Sequence, residues 1–457
     1  MTRRDTFLAV ALLIAAAVVA CWSTLPLIWD GGYQMSVSLI SQEPYAFLSR
    51  FHSRILWAPL VWLSQHTDNV MALIFAYGLP FLLAPAVSVA LSAWVVRRHA
   101  PGLAVWALFG VAVSMSGQAF VINDSIWQHT MFWPILLGAL VPLDWPRRIV
   151  LLALAVFQFS HHVGALLFAI AAGAAWLVAR KGTADRRREG WGKVIALGVL
   201  TLLAVVKIVL VSTPTFLGGR YYDNYALQQA NVGDAVMAFV TGVCGLPLVG
   251  LCFLGWVAWK IARSDAPLDR RTLLALGVAA GAWLLWACLP WHWAGAINYR
   301  RWVGPIAAPF CLLATLDALR GPAAASVARS RVALTLAGLF FLVLTIQSAT
   351  WALLIRQFRA EAAAVPGIVV RKSDVPSMKW SQLDHWGITS TYIVLQGREP
   401  AKYFAYTDAC IAPLTAKPPS IPLWEPHLIP PAPGRAGFYD HRPLVERLAR
   451  KAAAAHP

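Results

Sequence analysis

Residues 29–54 read W-D-G-G-Y-Q-M-S-V-S-L-I-S-Q-E-P-Y-A-F-L-S-R-F-H-S-R. The stretch starts where the first long apolar run ends. It opens on an acid, Asp30, followed by Gly31, Gly32 and Tyr33. A short amphipathic segment comes next, then a basic cluster of Arg50, His52 and Arg54. An acid at the mouth of a membrane helix is poorly placed for packing and well placed for chemistry at the bilayer surface. That reading requires the preceding run to cross a membrane, and the composition agrees.

The chain has 457 residues, of which 59% are hydrophobic and 13% charged. A soluble domain carries roughly 25% charged residues. Apolar runs near 20 residues in length recur through residue 356, which predicts an all-α polytopic membrane protein. A net charge of +17 would suggest nucleic acid in a soluble protein. In a membrane protein, lysine and arginine instead set helix orientation, and the 22 tryptophans fit interfacial belts better than base stacking. The expected partner surface is therefore the lipid bilayer, not nucleic acid. Five of the six cysteines lie in apolar runs and read as small core residues; Cys410 lies in a polar region without an evident disulfide partner. Arg3 and Arg4 before an apolar run resemble a signal peptide, and Val18-Val19-Ala20-Cys21 resembles a lipoprotein cleavage box. The run continues past Cys21 to Trp29 and more spans follow, so an uncleaved first helix is expected.

Eleven spans are expected, at 6–29, 69–96, 102–122, 126–143, 149–160, 163–179, 194–214, 238–261, 273–295, 302–319 and 332–356. The fifth and sixth are short and allow a re-entrant hairpin that points His161 and His162 outward. Residues 55–65 are apolar but too short to span; they lie in the interface or extend the second helix with a break near Thr67 and Asp68. Basic residues gather in alternate loops: Arg3/Arg4, Arg97/Arg98, Arg147/Arg148, 180–193, 260–271 and 320–331. That bias predicts a cytoplasmic N-terminus and an external region after Phe358; the expected location is a bacterial inner membrane, with that region periplasmic. The expected domains are a transmembrane module, 1–358, and a small external C-terminal region of mixed α/β character, 359–457. In the latter, 389–396 and 402–406 read as strands, 413–433 as an extended proline-dense segment and 444–455 as a short terminal helix. No internal repeat is evident.

With that topology, the external edges collect Asp30, Glu43, Arg50, His52, Arg54, Asn123, Asp124, His129, His161, His162, the segment 220–223, His292, Asn298, Tyr299, Arg300 and Arg301. The cytoplasmic loops carry no catalytic pattern. Asp30 is the leading general base, because a carboxylate half-shielded from water can take a proton from an attacking hydroxyl. The alternative is a helix-end acid in a tight Gly-Gly turn. Asp124, in Asn123-Asp124-Ser125, can share a divalent cation with Asp30, divide the base and orienting roles with it, or simply cap the fourth helix. His161 and His162 lack the spacing of a zinc motif and suit a hydrogen bond to substrate, or an interfacial pair. Tyr299-Arg300-Arg301, after His292, is the best anion site, since arginine binds phosphate oxygens bidentately. Arg220 and Tyr221 form a second candidate, with Asp223 beside them. Lys207 snorkels to the interface or meets the same phosphate. Tyr33, Trp291 and Trp293 can stack on sugar faces, and His52 and Arg54 complete the expected substrate-binding set.

This pattern resembles the GT-C superfamily of integral membrane glycosyltransferases. The resemblance lies in Trp29-Asp30-Gly31-Gly32-Tyr33 directly after the first span, the amphipathic first external loop, Asn123-Asp124 in the second, and the external C-terminal region. It implies transfer of a sugar from a polyprenyl-phosphate carrier to a glycan or lipid acceptor on the external face. Asp30 would be the catalytic base, and Asp124 would assist it or help bind a metal. The implied cofactor is none, or a divalent ion such as magnesium or manganese. The chain departs from the family in its His-His near residue 161 and in lacking a WWD-type motif that reads glycosylation sequons, which argues against a protein-glycosylating member. Two other readings compete: a transporter or flippase of a lipid-linked sugar, and a transferase of acyl or phosphoryl groups. Transporters place ionisable residues near the midplane of paired repeats, whereas here they gather on one side.

The loop-by-loop charge bias makes a direct prediction. A periplasm-active reporter fused to the C-terminus is expected to be active, and a cytoplasm-active one silent. The reverse result would remove both the span count and the one-sided site.

Overall fold

The computed structural model describes residues 3–28, 30–44, 51–114, 124–159, 202, 332–380, 383–385, 387–407, 438, 446–447 and 450. These are mostly helical. In chain order the elements are α1 (Arg3–Trp22), α2 (Asp30–Ser41), α3 (Phe51–Ser64), α4 (Val70–Leu82), α5 (Ala84–Val96), α6 (Val105–Ser114), α7 (Asp124–Leu140), α8 (Trp145–Phe159), α9 (Val332–Ala364), β1 (Val369–Arg371), α10 (Ile388–Gln396) and β2 (Tyr403–Ala405). Among the described residues, three helical stretches are long and apolar enough to cross a membrane: Arg3–Trp22, Val70–Val96 and Phe340–Ala364. The spans expected at 163–179, 194–214, 238–261, 273–295 and 302–319 lie outside the described residues, apart from helical Leu202. The end of the third span and the proline-dense segment 413–433 lie outside them too. Of the expected terminal helix at 444–455, Glu446, Arg447 and Arg450 are described and helical.

The chain divides into two compact units. One comprises Met1–Ala16, Leu83–Ala119 and Asp124–Val343; the other comprises Ala17–Leu82, Phe120–Asn123 and Leu344–Pro457.

In the first unit, α5, α6, α7 and α8 pack through small residues and buried polar pairs. Gly110 and Gly138 lie where a Cβ would overlap the Trp133 indole and the Leu151 side chain. Ser88 Oγ donates to the Thr130 carbonyl at 2.6 Å, and the Gln158 amide donates to the Gln128 carbonyl. Such bonds keep polar groups satisfied where water is scarce. Two of the expected basic loops meet here. Arg98 and Arg147 both pair with Asp144, at 2.9 Å for Arg98. Arg147 also donates to the Trp94 carbonyl at 3.0 Å and lies over the Trp94 ring. Loops 97–98 and 147–148 thus share one end of this unit, as their charge implied.

The second unit revises two expectations. The first apolar run does not continue as helix to Trp29: α1 ends at Trp22. Thr24 takes a left-handed φ of 63°, and Leu25–Leu27 form a 3-10 turn with Pro26 near its start. Proline lacks the N–H that helix continuation needs and clashes with the preceding turn. Residues 389–396 are not a strand; they lie in α10. Their β-branched side chains are overruled by burial, because Ile388 through Leu395 are all buried, and an isolated short strand there would leave its backbone groups unpaired. Gly397, at φ 85°, ends the helix. The other expected strand does form: β2 runs parallel to β1, with Val370 opposite Phe404.

Around these elements the packing is aromatic. Trp57 on α3 stacks on Tyr77 and Phe81 of α4, with ring centroids at 5.5 and 5.2 Å. Phe358, Tyr392 and Phe404 join α9, α10 and β2 by edge contacts. Asn69 caps α4, its Oδ1 accepting from the backbone N–H groups of Met71 at 3.0 Å and Ala72 at 3.2 Å. The break expected near Thr67 and Asp68 is therefore real, and α3 is a helix of its own. Lys402 closes the far end of α9, its ammonium donating to the carbonyls of Ala362, Ala363 and Val365 at 2.5–3.1 Å.

Gly31 and Gly32 lie inside α2, so they do not form the alternative tight turn. They are glycines because of what touches them. A Cβ on Gly31 would overlap the Pro26 carbonyl oxygen; one on Gly32 would overlap Thr391 Oγ1 and sit 2.7 Å from the Leu27 carbonyl oxygen. Gly31→Ala and Gly32→Ala are each expected to destabilise the fold by about 1–3 kcal/mol through overpacking. Gly338→Ala on α9, where nothing lies within 4 Å, is expected to be neutral or to gain up to about 1 kcal/mol of helix propensity. Thermal unfolding of the three variants in detergent checks both halves.

Candidate active site at the start of helix α2

Helix α2 begins at Asp30, three residues after the end of the 3-10 turn that follows α1. Ile28, between them, is extended, with ψ at 139°. A carboxylate in the first helical turn is favoured by the partial positive charge of the unpaired N–H groups there. Asp30 is half-buried, and so is Tyr33, one turn along. Residues at i and i+3 share a helix face, so the two lie side by side. Burial raises the Tyr33 phenol above its ordinary range, keeping it a neutral hydrogen-bond donor.

The surroundings of α2 hold it in place. Thr391 on α10 has its hydroxyl 2.7 Å from the Leu27 carbonyl and 3.1 Å from the Gly387 carbonyl, so it can donate to either. The Tyr77 hydroxyl donates to Gln34 Oε1 at 3.2 Å. Ser36, Ser38 and Ser41 donate back to the carbonyls of Tyr33, Gln34 and Val37 at 2.8–2.9 Å. The three serines therefore add no unmet polar atoms inside the helix. At the far end Gln42, at φ 53°, donates to the Leu39 carbonyl at 2.7 Å and to Ser64 Oγ at 3.3 Å. The Phe438 N–H donates to the same Leu39 carbonyl at 3.0 Å. The C-terminal region thus covers α2 from two places in sequence.

The expected site residues fall into three groups. Asp30 and Tyr33 come together on α2. His52 and Arg54 are on α3, which packs against α2. Arg54 is exposed. Asp124 is the first residue of α7, in the other compact unit from Asp30. His129, expected at the external edge, is buried within α7. His161, His162, Lys207, Arg220, Tyr221, His292, Tyr299, Arg300 and Arg301 lie outside the described residues. Among the described residues, no three histidines, cysteines or carboxylates gather as a metal site.

The sequence reading missed a polar cluster in the C-terminal region. Asp384 Oδ1 accepts from Lys372 Nζ at 2.5 Å and from the Tyr406 hydroxyl at 2.8 Å. The Lys372 ammonium also sits 4.7 Å from the Tyr406 ring centre. Burial, then the bond to Asp384 and its negative charge, raise the Tyr406 phenol well above its ordinary range. His385, next in sequence, is fully buried. Burial pushes its pKa down to about 3, against the opposing pull of Asp384. The Asp-His pair was visible in the sequence, but the strands expected nearby gave no reason to bury it.

The His385 shift gives a pH prediction. In the folded chain His385 stays neutral down to about pH 3, whereas an exposed histidine in the unfolded chain protonates below about pH 6.5. The unfolded state then binds more protons, so stability falls as pH drops from about 6.5 toward 3. His385→Gln is expected to remove a slope of up to about 1.4 kcal/mol per pH unit across that window. Denaturation series at several pH values, wild type against variant, measure it.

No family model, no curated protein and no solved structure matches this chain.

Proposed function

We propose that the chain is a membrane glycosyltransferase that moves a sugar from a polyprenyl-phosphate carrier to a glycan or lipid acceptor on the external face. One observation carries this reading: a half-buried carboxylate, Asp30, stands at the first turn of a helix that starts just after a candidate membrane span. That helix is held tightly enough to fix the carboxylate's position, which general-base catalysis requires. In the proposed step Asp30 takes the proton of an acceptor hydroxyl as its oxygen bonds to the anomeric carbon. The bond from that carbon to the lipid phosphate breaks, and the phosphate leaves with the electron pair. Tyr33, beside Asp30, offers a neutral hydroxyl and an aromatic face to a sugar. In this proposal the N-terminus is cytoplasmic, Arg300 and Arg301 hold the donor phosphate, and Asp124 supports the base or a metal.

The reading is tested at Asp30. Asp30→Asn keeps size and most hydrogen bonding but cannot accept the proton. It is expected to lower transfer from a polyprenyl-phosphate sugar by about 100-fold or more, the usual scale of a lost general base. Folding, followed by thermal unfolding and monodispersity, is expected to stay at the wild-type level. Wild-type turnover in a folded Asn variant would remove Asp30 as the base.

A further inference from the structure

A second feature of the same unit is separate from the Asp30 carboxylate. A groove of about 430 Å3 runs between the end of α1 and the last turns of α9. Trp22, Ser23 and Thr24 form one wall; Ile355, Arg356 and Arg359 are on the other. Arg356 and Arg359 are three residues apart and so share one helix face. Both are exposed, and among the described residues neither pairs with a carboxylate. The groove lies where two candidate spans end. Trp22 is 74% exposed there, as a tryptophan at a membrane–water boundary is. The α1 wall is fixed: Trp351 Nε1 donates to Thr24 Oγ1 at 3.2 Å, holding the residue whose φ is left-handed.

We infer that this groove binds the phosphate headgroup of an anionic membrane lipid. Two guanidinium groups on one face, unpaired among the described residues, offer planar, bidentate donors to phosphate oxygens. Ala352, Ile355 and Leu395 add an apolar lining, which suits a headgroup still attached to its acyl chains. An inorganic phosphate would gain from the arginines alone; a lipid gains from both. The inference stands on the groove and its arginines and does not depend on sugar transfer.

The test uses the full chain in neutral detergent, titrated with dioleoylphosphatidylglycerol and read by native mass spectrometry. Saturable binding is expected. The double variant Arg356→Gln, Arg359→Gln is expected to bind at least about tenfold more weakly, the scale of a lost charge-assisted bond. The pair Arg356→Lys, Arg359→Lys keeps the charge but not the fork and is expected to lose less. Dioleoylglycerol, without phosphate, is expected not to saturate, and millimolar inorganic phosphate not to displace the lipid. Should the glutamine pair fail to purify as a single species, single Arg359→Gln carries the test, with weaker binding expected. Unchanged phosphatidylglycerol affinity in a folded glutamine variant overturns the inference. So does equal retention of dioleoylglycerol, or displacement by inorganic phosphate, which would make this a free-phosphate site. None of these outcomes reads sugar transfer, so failure here leaves the role of Asp30 standing.

Discussion

The close approach of α2 to the turn at Leu25–Leu27 and to α10 is the contact on which the second unit depends. It happens at two glycines. With no side chain at Gly31 or Gly32, the helix backbone presses against the Pro26 and Leu27 carbonyls and the Thr391 hydroxyl. The Thr391 hydroxyl lies within hydrogen-bond distance of Leu27, and that contact joins residues 364 positions apart. Any larger residue would push α10 away or tilt α2. Either change would move Asp30, which sits one residue before the pair.

Burial and polar satisfaction are arranged together around that contact. The helix carries Gln34, Ser36 and Ser38 on buried positions, an arrangement that would be costly if those groups lacked partners. Each has one nearby: Tyr77 for Gln34, and the helix's own carbonyls for the serines. The stacked Trp57, Tyr77 and Phe81 rings supply the apolar area. The aromatic cluster of Phe358, Tyr392 and Phe404 does the same under α10. Lys402 then joins β2 to the carbonyl end of α9. Position and chemistry are coupled, because the elements that frame Asp30 also bury large side chains such as Trp57, Tyr77, Phe358 and Phe404.

The two arginines of the groove and the carboxylate of Asp30 occupy opposite ends of their helices. At a helix start, unpaired N–H groups favour a negative charge. At the last turns of a span, long cationic side chains reach the headgroup layer without leaving the helix. Both placements follow from which end of its helix each group occupies.

Much of this was legible in the chain itself. Composition and run length determined that it is helical and that some of its helices are long and apolar enough to cross a membrane, because a long helix pairs its own backbone. The alternation of basic loops foretold that 97–98 and 147–148 share an end, and Asp144 does link them. The acid after the first apolar run was visible as the leading candidate. Tertiary structure decided the rest. Residues 389–396 have strand-like composition, yet they are helical because both faces are buried and a helix pairs its own backbone. The Gly-Gly pair read equally well as a turn, since a sequence shows that a side chain is missing but not what occupies its space. His385 is fully buried, which its sequence neighbours did not foretell. The Arg356–Arg359 groove needed α1 to stop at Trp22, seven residues before the apolar run ends at Trp29. Local composition sets what a segment can form, but contacts between segments distant in sequence set what it touches, and burial is decided by those contacts.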